Sequence, residues 1–250
     1  MTKILLSGCC GKMGRNVINV VNTRKDCEVV AGVDIVDDTT LGFPVFQNYA
    51  EVQVEADAII DFSNPALLSD MLEYAKKNKT SVVLSTTGYS DEQIKEIEKA
   101  SDEIAIFFSY NMSLGVSLLC ELSKTAAKIL GNDFDVEIVE AHHNQKLDAP
   151  SGTALMLANA VKEEMPDAYF EYDRHSKRQK RNSNEIGIHS VRGGTIVGEH
   201  EVIFAGNDEI VKLSHSARSK AIFAQGAVNA ATFIKEKGVG IYNMGDLVND

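Results

Sequence analysis

Near its amino terminus the chain runs Lys3-Ile4-Leu5-Leu6-Ser7, then Gly8-Cys9-Cys10-Gly11-Lys12-Met13-Gly14-Arg15, then Val17, Val20 and Val21 at helical spacing. A short apolar run, a turn with three glycines and a helical stripe read as strand, tight turn and helix. Glycines there let the backbone fold sharply and approach a pyrophosphate, which then rests on the helix amino terminus. The spacing is G-x-x-G-x-x-G and not the commoner G-x-G-x-x-G, so the context has to carry the reading. Glu28-Val29-Val30-Ala31-Gly32-Val33 supplies that context as a second strand ending in Asp34. An acid about 20 residues past the last glycine is placed to take the hydroxyls of an adenosine ribose. The stretch is read as a dinucleotide site made by Gly8, Cys9, Cys10, Gly11, Lys12, Met13 and Asp34. A domain of this shape without a nucleotide is the alternative.

Apolar strands at 57–62, 81–85 and 104–109 then alternate with helical stretches at 65–77 and 91–100, which predicts a parallel sheet covered by helices. Ligands of such sheets bind outside the carboxyl ends of the strands. Phe62-Ser63, Ser85, Thr86, Thr87, Ser109, Tyr110, Asn111 and Met112 fall at those ends and are cofactor candidates, with short turns as the plainer reading of each alone. From residue 113 the pattern changes. Leu114, Leu118, Leu119, Leu122, Ala126 and Ile129 form a helical stripe expected in the core, and strands at 135–139, 186–191, 201–204 and 210–213 follow with few helices between them. From 219 a helix carrying Ile222, Phe223, Val228, Phe233 and Ile234 is expected to return to the first domain. The predicted fold class is α/β: a Rossmann-like parallel-sheet domain (1–112 plus 219–250) with an inserted α+β domain (113–218).

The second informative block is Glu140-Ala141-His142-His143-Asn144-Gln145-Lys146-Leu147-Asp148-Ala149-Pro150-Ser151-Gly152-Thr153-Ala154. Ser151 reads as the cap of a helix continuing through Val161. Backbone N–H groups at Gly152 and Thr153, with the helix dipole, favour a carboxylate or phosphate. His142 and His143 exchange protons near neutral pH and Lys146 is a fixed cation, so the cluster suits a small anion that must be protonated. Solvated loop residues are the alternative. For His189, His200 and His215, hydrogen bonding at strand ends is expected, with His200 the strongest exception.

A net charge of −11 argues against a nucleic-acid partner, which needs a basic face. The one basic run, Arg174-His175-Ser176-Lys177-Arg178-Gln179-Lys180-Arg181, is expected to be a solvated loop; a mobile loop drawing in a dianionic substrate is the sharper alternative. No apolar run approaches the roughly 20 residues of a membrane helix, and no signal peptide is read at the start. Cys9, Cys10, Cys27 and Cys120 lack C-x-x-C spacing, so no metal site is expected and a reduced cytoplasm is.

These residues together resemble the 4-hydroxy-tetrahydrodipicolinate reductase (dihydrodipicolinate reductase) family of the diaminopimelate–lysine pathway. The resemblance rests on the block 140–154, on Gly8 to Arg15, and on Asp61-Phe62-Ser63-Asn64-Pro65 and Ser85-Thr86-Thr87-Gly88. Ser109-Tyr110-Asn111-Met112-Ser113-Leu114-Gly115-Val116 and Arg192-Gly193-Gly194-Thr195-Ile196-Val197-Gly198-Glu199-His200 complete it, in family order across essentially the whole chain. It implies hydride transfer from a nicotinamide to a cyclic imine dicarboxylate that loses its hydroxyl as water. It further implies His142 as general acid/base, Lys146 as proton donor, and His143, Gly152 and Thr153 as holders of a substrate carboxylate. A homotetramer built through an extended sheet of the inserted domain is also implied.

Two departures matter. Ile35-Val36-Asp37-Asp38 follows Asp34, so no cation stands ready for a 2′-phosphate, and NADH is expected over NADPH, with NADPH still possible through Lys12. Where the family usually has arginine this chain has Lys220, with Arg218 nearby, which leaves their roles open. An aspartate dehydrogenase of similar architecture and a non-catalytic NAD-sensing protein are the competing classes.

Overall fold

The computed structural model describes all residues but Asp37, Tyr110 and Asp250, and the side chain of Asn132 is likewise outside the described set. Two compact units emerge, one from Met1–Leu114 with Lys220–Asp250 and one from Gly115–Ser219.

The first unit is a seven-stranded parallel sheet. Strands β1 (Thr2–Ser7), β2 (Cys27–Val33), β3 (Val45–Phe46), β4 (Ala58–Asp61), β5 (Ser81–Leu84), β6 (Ala105–Phe108) and β12 (Gly240–Tyr242) lie in the order β12-β6-β5-β4-β1-β2-β3. The central strands are apolar on both faces because helices cover both. Helices α1 (Lys12–Val21) and α6 (Ala221–Ile234) bury Val17, Val21, Ala224, Ala227, Val228, Ala231 and Ile234 with Ile4, Leu6 and Phe107. Helices α2 (Leu68–Asn78) and α3 (Asp91–Ala100) bury Leu68, Met71, Leu72, Ala75 and Ile97 with Leu5, Ile59, Val82 and Ile106. The stretch expected to be helical from residue 65 begins as a 3₁₀ turn over Pro65–Leu67, capped by the Asn64 side chain, before α2 starts. The short helix α7 (Met244–Val248) closes the chain.

The second unit is a mixed sheet, β11-β10-β7-β9-β8. It comprises β7 (Asp135–His142), β8 (Tyr169–Glu171), β9 (Glu185–Arg192), β10 (Gly198–Ala205) and β11 (Ile210–Ala217), with helices α4 (Leu114–Leu130) and α5 (Gly152–Glu164). Along β7 burial alternates strictly, so Val136, Ile138, Glu140 and His142 share the covered face. Ala154, Leu157, Ala158 and Val161 of α5 pack with Val136, Ile138, Ile186 and Val202.

One core expectation is corrected. In α4 the buried residues are Val116, Ser117, Leu119, Ser123 and Ala127, whereas Leu118 is 48% exposed, Leu122 45% and Ile129 75%. The helix is apolar on more than one side. Leucines four apart therefore marked a stripe other than the one that packs, because small residues and serines supply the buried face.

Helix α6 approaches the backbone at Met112 so closely that a Cβ on Gly226 would lie 1.6 Å from the Met112 carbonyl oxygen. Exchanging glycine for alanine in a helix interior normally gains up to about 1 kcal/mol. Here overpacking against backbone costs about 1–3 kcal/mol and wins. Gly226→Ala is therefore expected to lower the urea midpoint of the chain; an unchanged or raised midpoint would show that α6 can shift away from Met112.

Candidate functional site

In the first unit the turn between β1 and α1 is set by two close approaches. Gly8 has φ +75°, and a Cβ there would stand 2.4 Å from the Phe62 carbonyl oxygen; one on Gly14 would stand 2.2 Å from the Gly8 carbonyl oxygen. Only glycine meets both demands. The Cys10 N–H donates to Asp34 Oδ2 at 2.9 Å, and the Val36 N–H to Oδ1 at 3.2 Å. The carboxylate at the end of β2 thus faces the glycine turn, with Cys9 buried and Cys10 half-buried beside it. Arg15, passed over in the sequence reading, pairs with Asp38. Lys12 is exposed, and Asp37 lies outside the described residues.

A cavity of about 470 Å³ in the same unit is lined by Met13, Ser85, Thr86, Thr87, Ser109, Asn111 and Met112. With Phe62 and Ser63, nine of the expected cofactor residues therefore meet in one cavity, joined by Pro65, Lys220 and Phe223. The turn residues Gly8, Cys9, Cys10, Gly11 and Lys12, and Asp34, are not in its lining, and Tyr110 lies outside the described residues. Buried Asp61 accepts from Ser63 N–H at 3.2 Å and from Tyr89 Oη at 3.2 Å, which fixes the Phe62–Ser63 wall. Ser85 Oγ is buried with no hydrogen-bond partner among the described residues. The glycine cradle, the ribose-side carboxylate and this unsatisfied hydroxyl together fit a dinucleotide.

In the second unit His142, one of the expected residues, meets a fully buried carboxylate that the sequence reading left without a role. Glu140 accepts from Arg192 Nη1 at 2.8 Å and Nη2 at 2.7 Å, and from Ser151 N–H at 3.1 Å. Its Oε2 stands 2.6 Å from His142 Nδ1. Burial alone would raise the Glu140 carboxyl, but hydrogen bonds from Arg192, Ser190 and His142 outweigh it and hold it down at about 2. An ionised Glu140 is acceptor-only, so His142 Nδ1 carries the proton between them and Nε2 is the nitrogen left for exchange. Nε2 faces Gly198, where a Cβ would come within 3.1 Å of it.

His142 closes β7, and the loop after it is fixed by Gly193 N–H donating to the His142 carbonyl and Asn144 N–H to the Gly194 carbonyl. Lys146 Nζ lies 2.9 Å from Asp148, and Arg192 Nη2 donates to the Asp148 carbonyl at 2.7 Å. Ser151 caps α5 by accepting from Ala154 N–H at 3.1 Å. A Cβ at Gly152 would meet nothing within 4 Å, so the start of α5 is open to an anion. Glu140 and Arg192 meet through the register of β7 and β9, which pairs His142 with Arg192 and which the linear sequence does not display.

His200 Nε2 stands 3.0 Å from Ser151 Oγ, its ring 5.1 Å from that of His142. His189 bonds Glu137 at 2.8 Å from the middle of β9, not from a strand end. Three cations of the basic run are paired. Arg174 is held by Glu185, Lys177 by Glu171, and Arg181 by Asp135 and Glu137. These three tie the loop to the sheet, and His175, Ser176, Arg178, Gln179 and Lys180 are exposed.

The family profile for the dihydrodipicolinate reductase N-terminus matches residues 2–112, and that for its C-terminus residues 115–248. The 4-hydroxy-tetrahydrodipicolinate reductase of Caldanaerobacter subterraneus subsp. tengcongensis is 50% identical, over 99% of this chain and 98% of the relative. That of Clostridium novyi is 47% identical over the same shares. A dipicolinate-bound dihydrodipicolinate reductase from Paenisporosarcina sp. TG-14 superposes with a TM-score of 0.80 at 26% identity, covering 97% of each chain.

Burial, with the His142 ring in support, pushes His200 from 6.5 down to about 4. Between those values the folded protein holds fewer protons than the unfolded chain. The contribution of His200 to stability is therefore full above pH 6.5 and lost as pH falls toward 4, an effect of about 3 kcal/mol. Glu140, held near 2 against 4.5, extends the decline at lower pH. His200→Gln is expected to flatten the fall of the urea midpoint between pH 6.5 and 4. A variant whose profile runs parallel to the parent through that window would mean that His200 titrates alike in both states.

Proposed function

The chain belongs to the dihydrodipicolinate reductase family of nicotinamide-dependent oxidoreductases, and from that premise we propose that it reduces 4-hydroxy-tetrahydrodipicolinate to tetrahydrodipicolinate with loss of water, serving diaminopimelate and lysine synthesis. The observation that carries the reading is the buried Glu140 carboxylate gripping both His142 Nδ1 and Arg192 next to the start of α5. The dipicolinate of the Paenisporosarcina reductase is a ring with two carboxylates, as this substrate is.

The reaction takes up one hydride and one proton and releases water. A nicotinamide, when bound, supplies the hydride; Met13, Ser85, Thr86, Thr87, Ser109, Asn111 and Met112 would hold it, with Gly8, Cys9, Cys10, Gly11 and Lys12 under the pyrophosphate and Asp34 on the ribose. Tyr110 belongs to the same proposed set. The proton is the chain's to provide. His142 delivers it from Nε2 as general acid, while ionised Glu140 holds Nδ1–H and stabilises the imidazolium formed when Nε2 is reprotonated. Arg192 keeps Glu140 ionised and fixed in orientation. Lys146, once drawn from Asp148 by a substrate carboxylate, gives a second donor. His143, Gly152 and Thr153 hold that carboxylate at the positive end of α5. The Gly115–Ser219 unit would thus be the substrate domain. Its exposed Val191 and Ile210 support assembly into a homotetramer through the sheet. No helix among the described residues is long and apolar enough to cross a membrane, and four free thiols suit a cytoplasmic setting.

The test follows NADH and NADPH oxidation while dihydrodipicolinate synthase supplies substrate in situ. The parent should turn over only with the synthase product, and His142→Gln should lower kcat on the order of 10²–10⁴-fold with NADH affinity unchanged. Turnover of L-aspartate instead, or a His142→Gln kcat within about twofold of the parent, would overturn the assignment.

NADH is proposed as the preferred cofactor. Asp34 accepts both ribose hydroxyls and repels a 2′-phosphate, and Arg15, a cation at this edge beside Lys12, is neutralised by Asp38. Asp38→Asn frees Arg15 and removes a charge. It should shift the kcat/KM ratio toward NADPH by about two- to fivefold, the small change that suits an exposed, solvent-screened ion pair. Asp34→Ser should narrow the ratio chiefly by weakening NADH. A parent that already favours NADPH tenfold would reverse the reading.

A further inference from the structure

Cys9 and Cys10 lie in the first glycine turn and Asp34 at the end of β2, 24 residues beyond Cys10, yet the fold brings their donor atoms together. The two sulfurs are 3.8 Å apart, and with a carboxylate oxygen of Asp34 they form three ligand atoms all within 4.8 Å of one another. An ion held tetrahedrally at about 2.3 Å from each sulfur, the zinc–thiolate distance, needs those sulfurs about 3.8 Å apart. That separation is already present. We propose that Cys9, Cys10 and Asp34 form a site for a thiophilic divalent cation, zinc or cadmium, and that such an ion and a dinucleotide exclude each other. The exclusion half of the inference rests on the assignment of Asp34 to the ribose.

The donor set is chemically matched. Two thiolates select a soft or borderline cation over magnesium or calcium, and the carboxylate adds a third anionic ligand. Cys10 Sγ also donates to the Val36 carbonyl at 3.3 Å, so a backbone oxygen lies near the same sulfur. Each thiol releases its proton to solvent as a metal–sulfur bond forms, so two protons leave for each ion bound. The ion's two positive charges then stand against three negative ligands. Burial pushes Cys9 up to about 12, helped by the Cys10 thiol and Asp34. Cys10 is raised as well, by burial and the charges of Asp34 and Asp38, while Arg15 acts the other way. The thiols hold their protons until a metal displaces them, and affinity climbs with pH. Coordination also engages an Asp34 oxygen that would receive a ribose hydroxyl. The apparent Kd for NADH then grows as one plus the ratio of free metal to its own Kd.

Cadmium titrated into the reduced chain, followed by the ultraviolet thiolate-to-cadmium charge-transfer absorbance, tests the site without any turnover. One cadmium per chain is expected, with the band abolished in the Cys9→Ser/Cys10→Ser double variant and kept in Cys120→Ser. Because Cys9 is buried, Cys10→Ser alone serves if the double variant does not fold, and should lose half the band. Asp34→Asn should weaken cadmium on the order of tenfold or more. Calorimetric titration of NADH should show its Kd rising in proportion to cadmium. A parent-like band in the double variant, or an NADH affinity indifferent to saturating cadmium, would overturn the proposal. Should NADH not bind even without metal, the absorbance still reports the ion, and the cofactor assignment is what falls.

Discussion

A single buried carboxylate organises the second unit. Glu140 has no exposure to water, and an unpaired charge there would cost several kcal/mol. Its partners are drawn from every neighbouring piece of backbone: Arg192 from β9, Ser151 from the start of α5, and His142 two residues along its own strand. Arg192 then reaches the Asp148 carbonyl and holds the loop that carries Lys146. The orientation of the imidazole, the path of the loop and the position of the helix start are therefore one satisfied network. Loss of Arg192 would leave the Glu140 carboxylate in the interior without its cation.

The first unit is governed by sterics. The Gly8 and Gly14 approaches bring α1 onto the carbonyl ends of β1 and β4, and the same closeness lets Asp34 face the turn. Arg15 on α1 then meets Asp38 across that edge. Electrostatics at the proposed ribose side thus follow from a backbone contact that only hydrogen-sized side chains permit.

Much of this was legible in the sequence, for identifiable reasons. Strands β1, β2, β4, β5 and β6 announce themselves because burial on both faces leaves uninterrupted apolar runs between turn residues. Strands β3, β8 and β12, two or three residues long, carry no period to detect. The α4 leucines misled because an apolar period does not say which side packs. Cavity residues such as Ser85 to Thr87 and Asn111 were reachable from the rule that ligands sit at strand ends, whereas Lys220 and Phe223 join the same cavity from α6, far along the chain. Pairings such as Arg174 with Glu185 and Arg181 with Glu137 depend on strand register, and linear charge patterns do not contain it. Cys9, Cys10 and Asp34 were placed together as a dinucleotide site, whereas the closeness of their sulfurs and carboxylate oxygen was not legible.

The return of α6 and β12 to the first sheet bears on how the chain is made. Ala224, Ala227, Val228, Ala231 and Ile234 form one wall of the core beneath β1, β4 and β5, and β12 pairs with the otherwise open edge of β6. During translation the amino-terminal strands leave the ribosome first, yet their core stays unroofed and their edge unpaired until the last residues follow. The inserted unit has all its strands and both its helices in hand before then. Synthesis therefore runs against the common pattern in which the first domain made is the first to fold, and the nascent parallel sheet is the species that most needs shielding from aggregation.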